Sequence, residues 1–324
     1  MCNGMDCRES LHVPVSKLHR VPGMRLPGPK MLYKICSPRP RHRLCDYMEH
    51  MREYTGRHLS RDENPFDAFA GIAGRFQSAS PPVDNLWGLP IVSDQALESF
   101  THALTWVHTA EDNSRSIKRR RDFPSYSFVG WEGMASMVTQ KKGSKTGLEK
   151  FNVIGINIQV TTISGKSWDI SMSRLPKTIP QHSMQLRIEA WVMPQDIWGV
   201  SASVRDPKTK HFEVMIQLGP MSITCRAEVS GKMTDQDFLE GIKKGELYCF
   251  FLGYVAQKSS DTRQTSRWYF LMIVRRDQGE TVERMGILSF RVPGQEDRLL
   301  GLRKEKRKFC FASTSEPERR KEGL

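Results

Sequence analysis

The sequence predicts an α+β protein: a helical segment followed by an antiparallel β-rich domain, two-layer or sandwich-like, between disordered basic termini. Two observations carry that expectation. From Asp46 to about Val107 the apolar residues recur at the spacing of a helix that buries one face. Beyond about residue 150 they fall on every second position, as in a half-buried strand. The change of period divides the chain into an irregular Pro-rich segment over 1–45, a helical region over 46–140, a β-rich domain over 150–300 and a basic tail over 301–324.

Pro14, Pro22, Pro27, Pro29, Pro38 and Pro40 interrupt any helix that starts in the first segment. The basic run Arg39-Pro-Arg-His-Arg43 reads there as a solvated linker in preference to a nucleic-acid or import patch. A first helix is expected over 46–59, with Met48, Met51 and Tyr54 turned inward. Asn64 is a good N-cap before Pro65, and Phe66, Phe69, Ala73 and Phe76 then mark the buried face of a second helix. Asp94 opens a third, with Leu97, Phe100, Leu104 and Val107 at the same spacing, and residues 80–90 join the two as a rigid Pro-rich loop.

In the β-rich region, Ile154, Ile156, Ile158 and Val160 form one alternating set, and Leu186, Ile188, Ala190 and Val192 another. Phe212, Val214, Ile216 and Leu218 lead through Gly219-Pro220 to Ile223, Cys225, Ala227 and Val229, which predicts a hairpin. Thr234 and Asp237 make a capping box for a short helix carrying Phe238, Leu239 and Ile242, closed by Lys243, Lys244 and Gly245. Strands follow at 247–255, 268–274 and 284–292. The first two are almost continuously apolar, as strands covered on both faces are.

The net charge of +13 is concentrated at the ends. Residues 1–50 hold nine Lys/Arg against four Asp/Glu, and residues 301–324 hold eight against four, so the 250 residues between carry a net charge of only +4. That distribution disfavours nucleic acid as a partner of the folded middle. The chain shows neither an apolar run long enough to span a membrane nor a signal peptide at Met1, so a cytoplasmic location is expected, with nuclear entry left open by the basic runs. The cysteines at 2, 7, 36, 45, 225, 249 and 310 include no C-x-x-C pair, and the nine histidines are scattered, so neither a metal site nor a cofactor is expected. Asp122, Ser125 and Glu132 lie close together without a histidine, and Gly143-Ser-Lys-Thr-Gly147 lacks the glycine spacing of a phosphate loop, which leaves no catalytic constellation.

The densest feature is Phe123-Pro-Ser-Tyr-Ser-Phe-Val-Gly-Trp-Glu-Gly133, directly behind Lys118-Arg-Arg-Arg121. Large rings alternating with small residues imply that this block is tightly packed. The arginines before the block are expected to stack on it or pair near it.

The ordered series Tyr54-Thr-Gly-Arg57, Asp67-Ala-Phe-Ala-Gly-Ile72 with Phe76, Leu86-Trp-Gly-Leu-Pro90, Phe100 to Trp106, and Arg119 to Trp131 resembles fungal heterokaryon-incompatibility (HET) proteins. It is similar to the stretch after the signature blocks of the HET domain, and the resemblance implies that Trp87, Gly88, Phe123, Pro124, Ser125, Tyr126, Phe128, Gly130 and Trp131 are the structural motif residues. Family members usually read Phe-Pro-Ser-Trp-Ser-Trp-Ala-Gly-Trp at the last block, where this chain has Tyr126, Phe128 and Val129. Large groups are kept there while the indole hydrogen bonds of those positions are lost. Residues 246–254, 268–274 and 282–286 resemble the distal part of such proteins.

The resemblance implies a role in nonself recognition leading to growth arrest or cell death, in company with other incompatibility proteins. The family's best-known upstream blocks do not occur in this chain, so Met1 is expected to begin inside or just beyond a HET domain, through gene truncation or missed first exons. The expectation is therefore a noncatalytic accessory region. Two alternatives stand beside it: a nucleic-acid-binding protein that uses its basic terminal segments, and an interaction module that modulates full-length relatives.

Overall fold

Proline is tolerated in the first turn of a helix, where its missing N–H has no partner to lose. In the computed structural model α1 (Pro40–Thr55) uses Pro40 in that way and starts six residues before the predicted 46, ending at Thr55 instead of 59. The residues described are 40–56, 65–80, 82–108, 117–138, 150–162, 165–171, 184–200, 211–218, 220–230, 233–258, 265–277, 281–293 and 305–311. Asn64, the cysteines at 2, 7 and 36, and the glycine-rich 143–147 lie outside them. Leu44, Tyr47, Met48, Met51 and Tyr54 make one buried stripe on α1. It meets Phe69, Ala73 and Phe76 of α2 (Pro65–Gln77), with Tyr47 edge-on to Phe69 at 5.5 Å and to Phe76 at 5.0 Å.

The predicted rigid loop over 80–90 is instead a hairpin of β1 (Val83–Leu86) and β2 (Leu89–Val92). Trp87 and Gly88 form its two-residue turn with φ of 51° and 83°, and a turn with both angles positive matches the right-handed twist of the strands. The next helix is shorter than its periodicity predicts. α3 (Ala96–Ala103) stops where Leu104 and Thr105 donate to the carbonyls of Phe100 and His102. Val107 lies in β3 (Trp106–His108), which pairs with β4 (Ala135–Met137).

The strands that follow are β5 (Phe151–Val153), β6 (Asn157–Thr162), β7 (Ser167–Asp169), β8 (Met184–Val192), β9 (Trp198–Val200), β10 (His211–Leu218), β11 (Met221–Val229), β12 (Leu247–Lys258), β13 (Thr265–Arg276), β14 (Thr281–Pro293) and β15 (Glu305–Phe311). They build one sheet in the order β7-β6-β8-β12-β13-β14-β11-β10-β9, with β5 added to β12. β10 and β11 pair Phe212 with Ala227 and Leu218 with Met221, as the alternation around Gly219-Pro220 predicts. α4 (Asp235–Lys244) carries the predicted capping box of Thr234 and Asp237 and ends at Gly245.

Both faces of the central strands are covered, one by helices and short hairpins and the other by a helix. Phe250, Leu252, Phe270, Met272 and Val274 join a core with α1, α2, the β1–β2 hairpin and α3. Cys249, Phe251, Tyr269, Leu271 and Ile273 join the opposite core with Phe238, Leu239 and Ile242 of α4. Ile156, Ile158 and Val160 belong to the first core, whereas Ile154 belongs to the second. A bulge at Leu252, between Phe251 and Gly253, shifts the parity of β12 so that Val255 returns to the first core. The helical and strand regions therefore share one core within a single unit spanning Ile35–Leu324.

The tail departs most from expectation. β15 pairs antiparallel with β8 along its whole length and parallel with the start of β14, burying Phe309 and Phe311. β8, β12, β13, β14 and β15 thus pair in a closed circuit. Two aromatic residues at alternate positions suffice to make a strand when a register partner is waiting for them.

Candidate functional site

The motif residues converge although they are scattered through the sequence. Phe128 packs edge-on to Phe69 of α2 at 5.4 Å, and Trp87 meets Phe123 edge-on at 5.8 Å. Ser127 caps a single turn of 3-10 helix over Phe128–Gly130, accepting from the Val129 N–H at 3.2 Å while donating to the Trp87 carbonyl. At Gly88 an added Cβ would stand 2.6 Å from the Phe128 ring, so turn and block approach as closely as glycine permits. Pro124, Ser125, Tyr126, Phe128, Gly130 and Trp131 are all buried, and Phe123 is half-buried.

Ser127 ties the hairpin turn to the block through two bonds made by one hydroxyl. Ser127→Ala leaves a buried carbonyl and a buried N–H without it, so a loss of about 2 kcal/mol in urea-unfolding free energy is expected. The indoles near the block are satisfied by its own carbonyls. Trp106 Nε1 donates to the Tyr126 carbonyl at 2.9 Å, and Trp131 Nε1 donates to that of Ser125 at 2.8 Å. The Tyr126 hydroxyl is buried with no hydrogen-bond partner among the described residues, and desolvation raises its pKa well above the ordinary range.

On the sheet side, Ser125 Oγ accepts from the Arg284 N–H at 2.9 Å, and the Tyr126 ring lies edge-on to Phe311 of β15 at 5.5 Å. Arg119 stands 5.4 Å over the Trp131 ring and pairs with Glu283 of β14 at 3.1 Å. Arg120 donates to the Trp131 carbonyl at 2.6 Å. The arginines thus stack on and bond to the block, while Lys118 and Arg121 remain exposed.

The sequence reading missed Arg284. Its side chain is fully buried, its guanidinium carbon lies 3.7 Å from the centre of the Trp106 ring, and Nη2 donates to the Trp106 carbonyl. Nε and Nη1 have no hydrogen-bond partner among the described residues, and burial pushes the pKa down to about 9. The ring face compensates part of the desolvation that a buried cation costs. Beside it, His108 Nδ1 lies 3.0 Å from Ser230 Oγ and its ring packs edge-on to Trp106. Only a bulge on β14 turns Arg284 toward the first core, and no local pattern signals that register shift.

Chemically the joint is a hydrogen-bonded aromatic core. Ser125 faces a backbone amide, Glu132 pairs with Lys118 at 3.6 Å and Asp122 is exposed, so the three groups do not form a base-and-nucleophile pair. Cys225 and Cys249 are buried, and desolvation raises both thiols far from the range of a nucleophile. Among the described residues there is no cluster of metal-ligating side chains, and no helix is long and apolar enough to cross a membrane. No family model, curated protein or solved structure matches this chain.

Proposed function

We propose that this chain acts as a noncatalytic accessory region of a heterokaryon-incompatibility-type protein, working in nonself recognition with other incompatibility proteins. The observation that carries the reading is the convergence of the family-like blocks. Residues from α2, the β1–β2 turn, the segment after α3 and the Phe123 to Trp131 run meet around Phe128 and the Ser127 hydroxyl. A spaced motif series of this kind has a common physical purpose when its members pack on one another, and here that purpose is to dock a helical layer on a sheet.

The test is expression in a filamentous fungus, alone and fused behind the signalling domain of a full-length HET protein. Growth is expected to be normal with the chain alone, and arrest on contact with a nonself strain is expected with the fusion. Trp131→Ala should weaken that arrest without changing expression of the signalling domain. Growth arrest by the chain alone would reveal an activity of its own and overturn the reading.

A further inference from the structure

Strands β6, β8 and β15 lie side by side, and their register sets polar groups in rows. Asn157, Glu189 and Lys308 stand opposite one another, as do Gln159, Arg187 and Cys310 two positions away. Directly opposed residues project from the same face of a sheet, so the two rows form one polar surface. Next to it β15 crosses toward the start of β14, and a cleft of about 570 Å³ opens between these strands, β12 and β13. Tyr248 of β12 forms its wall, 7% exposed, with the Arg276 and Arg307 guanidinium carbons 5.9 and 5.1 Å from the ring centre.

The cleft is lined by the four cations Arg187, Arg276, Arg307 and Lys308 and by the single carboxylate Glu189. Glu189 stands opposite Lys308 in the register, and Glu305 engages Arg307 through two bonds of 2.8 and 3.0 Å. Arg187 and Arg276 have no ion pair among the described residues. They come from different strands, so their place in one cleft lining is a property of the fold and not of a charge run in the sequence. Three members of the basic tail, Lys306, Arg307 and Lys308, are likewise placed on the sheet by β15.

We propose that this cleft binds a small phosphate-bearing anion. Guanidinium forks match phosphate oxygens in pairs, and the amides of Asn157 and Gln159 add neutral polar groups to the lining. The volume lies within the range of small-molecule sites. A single strand of nucleic acid fits less well, because Tyr248 is only 7% exposed and offers no free ring surface for a base to stack on. The inference is independent of the proposed role in incompatibility.

Calorimetric titration of the full chain with inorganic pyrophosphate at near-physiological salt tests it. Saturable binding is expected, and the double variant Arg187→Gln/Arg276→Gln should weaken it about tenfold or more while keeping the melting temperature. Arg121→Gln, exposed and outside the cleft, should bind as the parent does. Absence of binding, or equal weakening by Arg121→Gln, overturns the assignment. So does a mixed-sequence single-stranded DNA that binds where pyrophosphate does not.

Discussion

Gly130→Ala is expected to destabilise the protein by about 3 kcal/mol or more, read as a lowered urea midpoint. A Cβ at this position would stand 2.5 Å from the Pro124 carbonyl oxygen, 3.2 Å from its carbon and 3.0 Å from Arg119 Nη1. The first two are backbone atoms, so no side-chain rotation makes room. Pro124 is itself buried, and its carbonyl accepts from the Ser127 N–H at 3.2 Å, which fixes it in the turn that leads into the 3-10 helix. Gly130 in turn uses its own carbonyl to accept from the Arg120 N–H at 2.8 Å and from Arg119 Nη1 at 2.9 Å. Displacing either residue therefore pulls Arg119 from Trp131 and Glu283, and the helical layer from the sheet. Gly74→Ala in α2 is the control: nothing lies within 4 Å of its added Cβ, and alanine inside a helix should stabilise by about 0.5–1 kcal/mol. Equal effects at the two positions would refute the steric account of the block.

Elements whose instructions are local were legible in the sequence. The β10–β11 hairpin and α4 with its capping box each contain their own turn or cap residues within a few positions, and both form as read. The packing character of the aromatic block was also legible, because alternating large and small residues leave little else to do. What escaped was set by distant partners. Trp87 is no ordinary turn residue, and its positive φ is held by contacts made some forty residues later, through Ser127 and Phe123. β15 reads as a charged tail until β8 supplies seven register partners and a core for Phe309 and Phe311. The basic surplus that sequence counting assigns to the C-terminus is, in part, one wall of a cleft. Arg284 reads only as the first residue of the strand over 284–292, and the bulge on β14 carries it inside.

Lowering the pH from 7 to 4 should cost the fold about 3 kcal/mol through one residue, His102. This histidine lies on α3, 2% exposed, with its ring stacked on Phe151 of β5 at 4.6 Å and 13°. Burial lowers its pKa from 6.5 to about 3. Between those values the unfolded chain binds a proton that the folded chain excludes, so acid favours unfolding. The contribution is complete above pH 6.5 and is lost as pH falls toward 3. Other groups also titrate in this window, so the comparison has to be made against His102→Phe, which keeps an aromatic ring on Phe151 and has nothing to protonate. Urea unfolding at pH 7 and pH 4 is expected to show a fall in stability that is smaller in the variant by about 3 kcal/mol. Carboxylates common to both proteins cancel in that difference. Parallel curves would mean that the folded protein accepts the proton at His102, and hence that α3 does not hold the ring against β5 away from water.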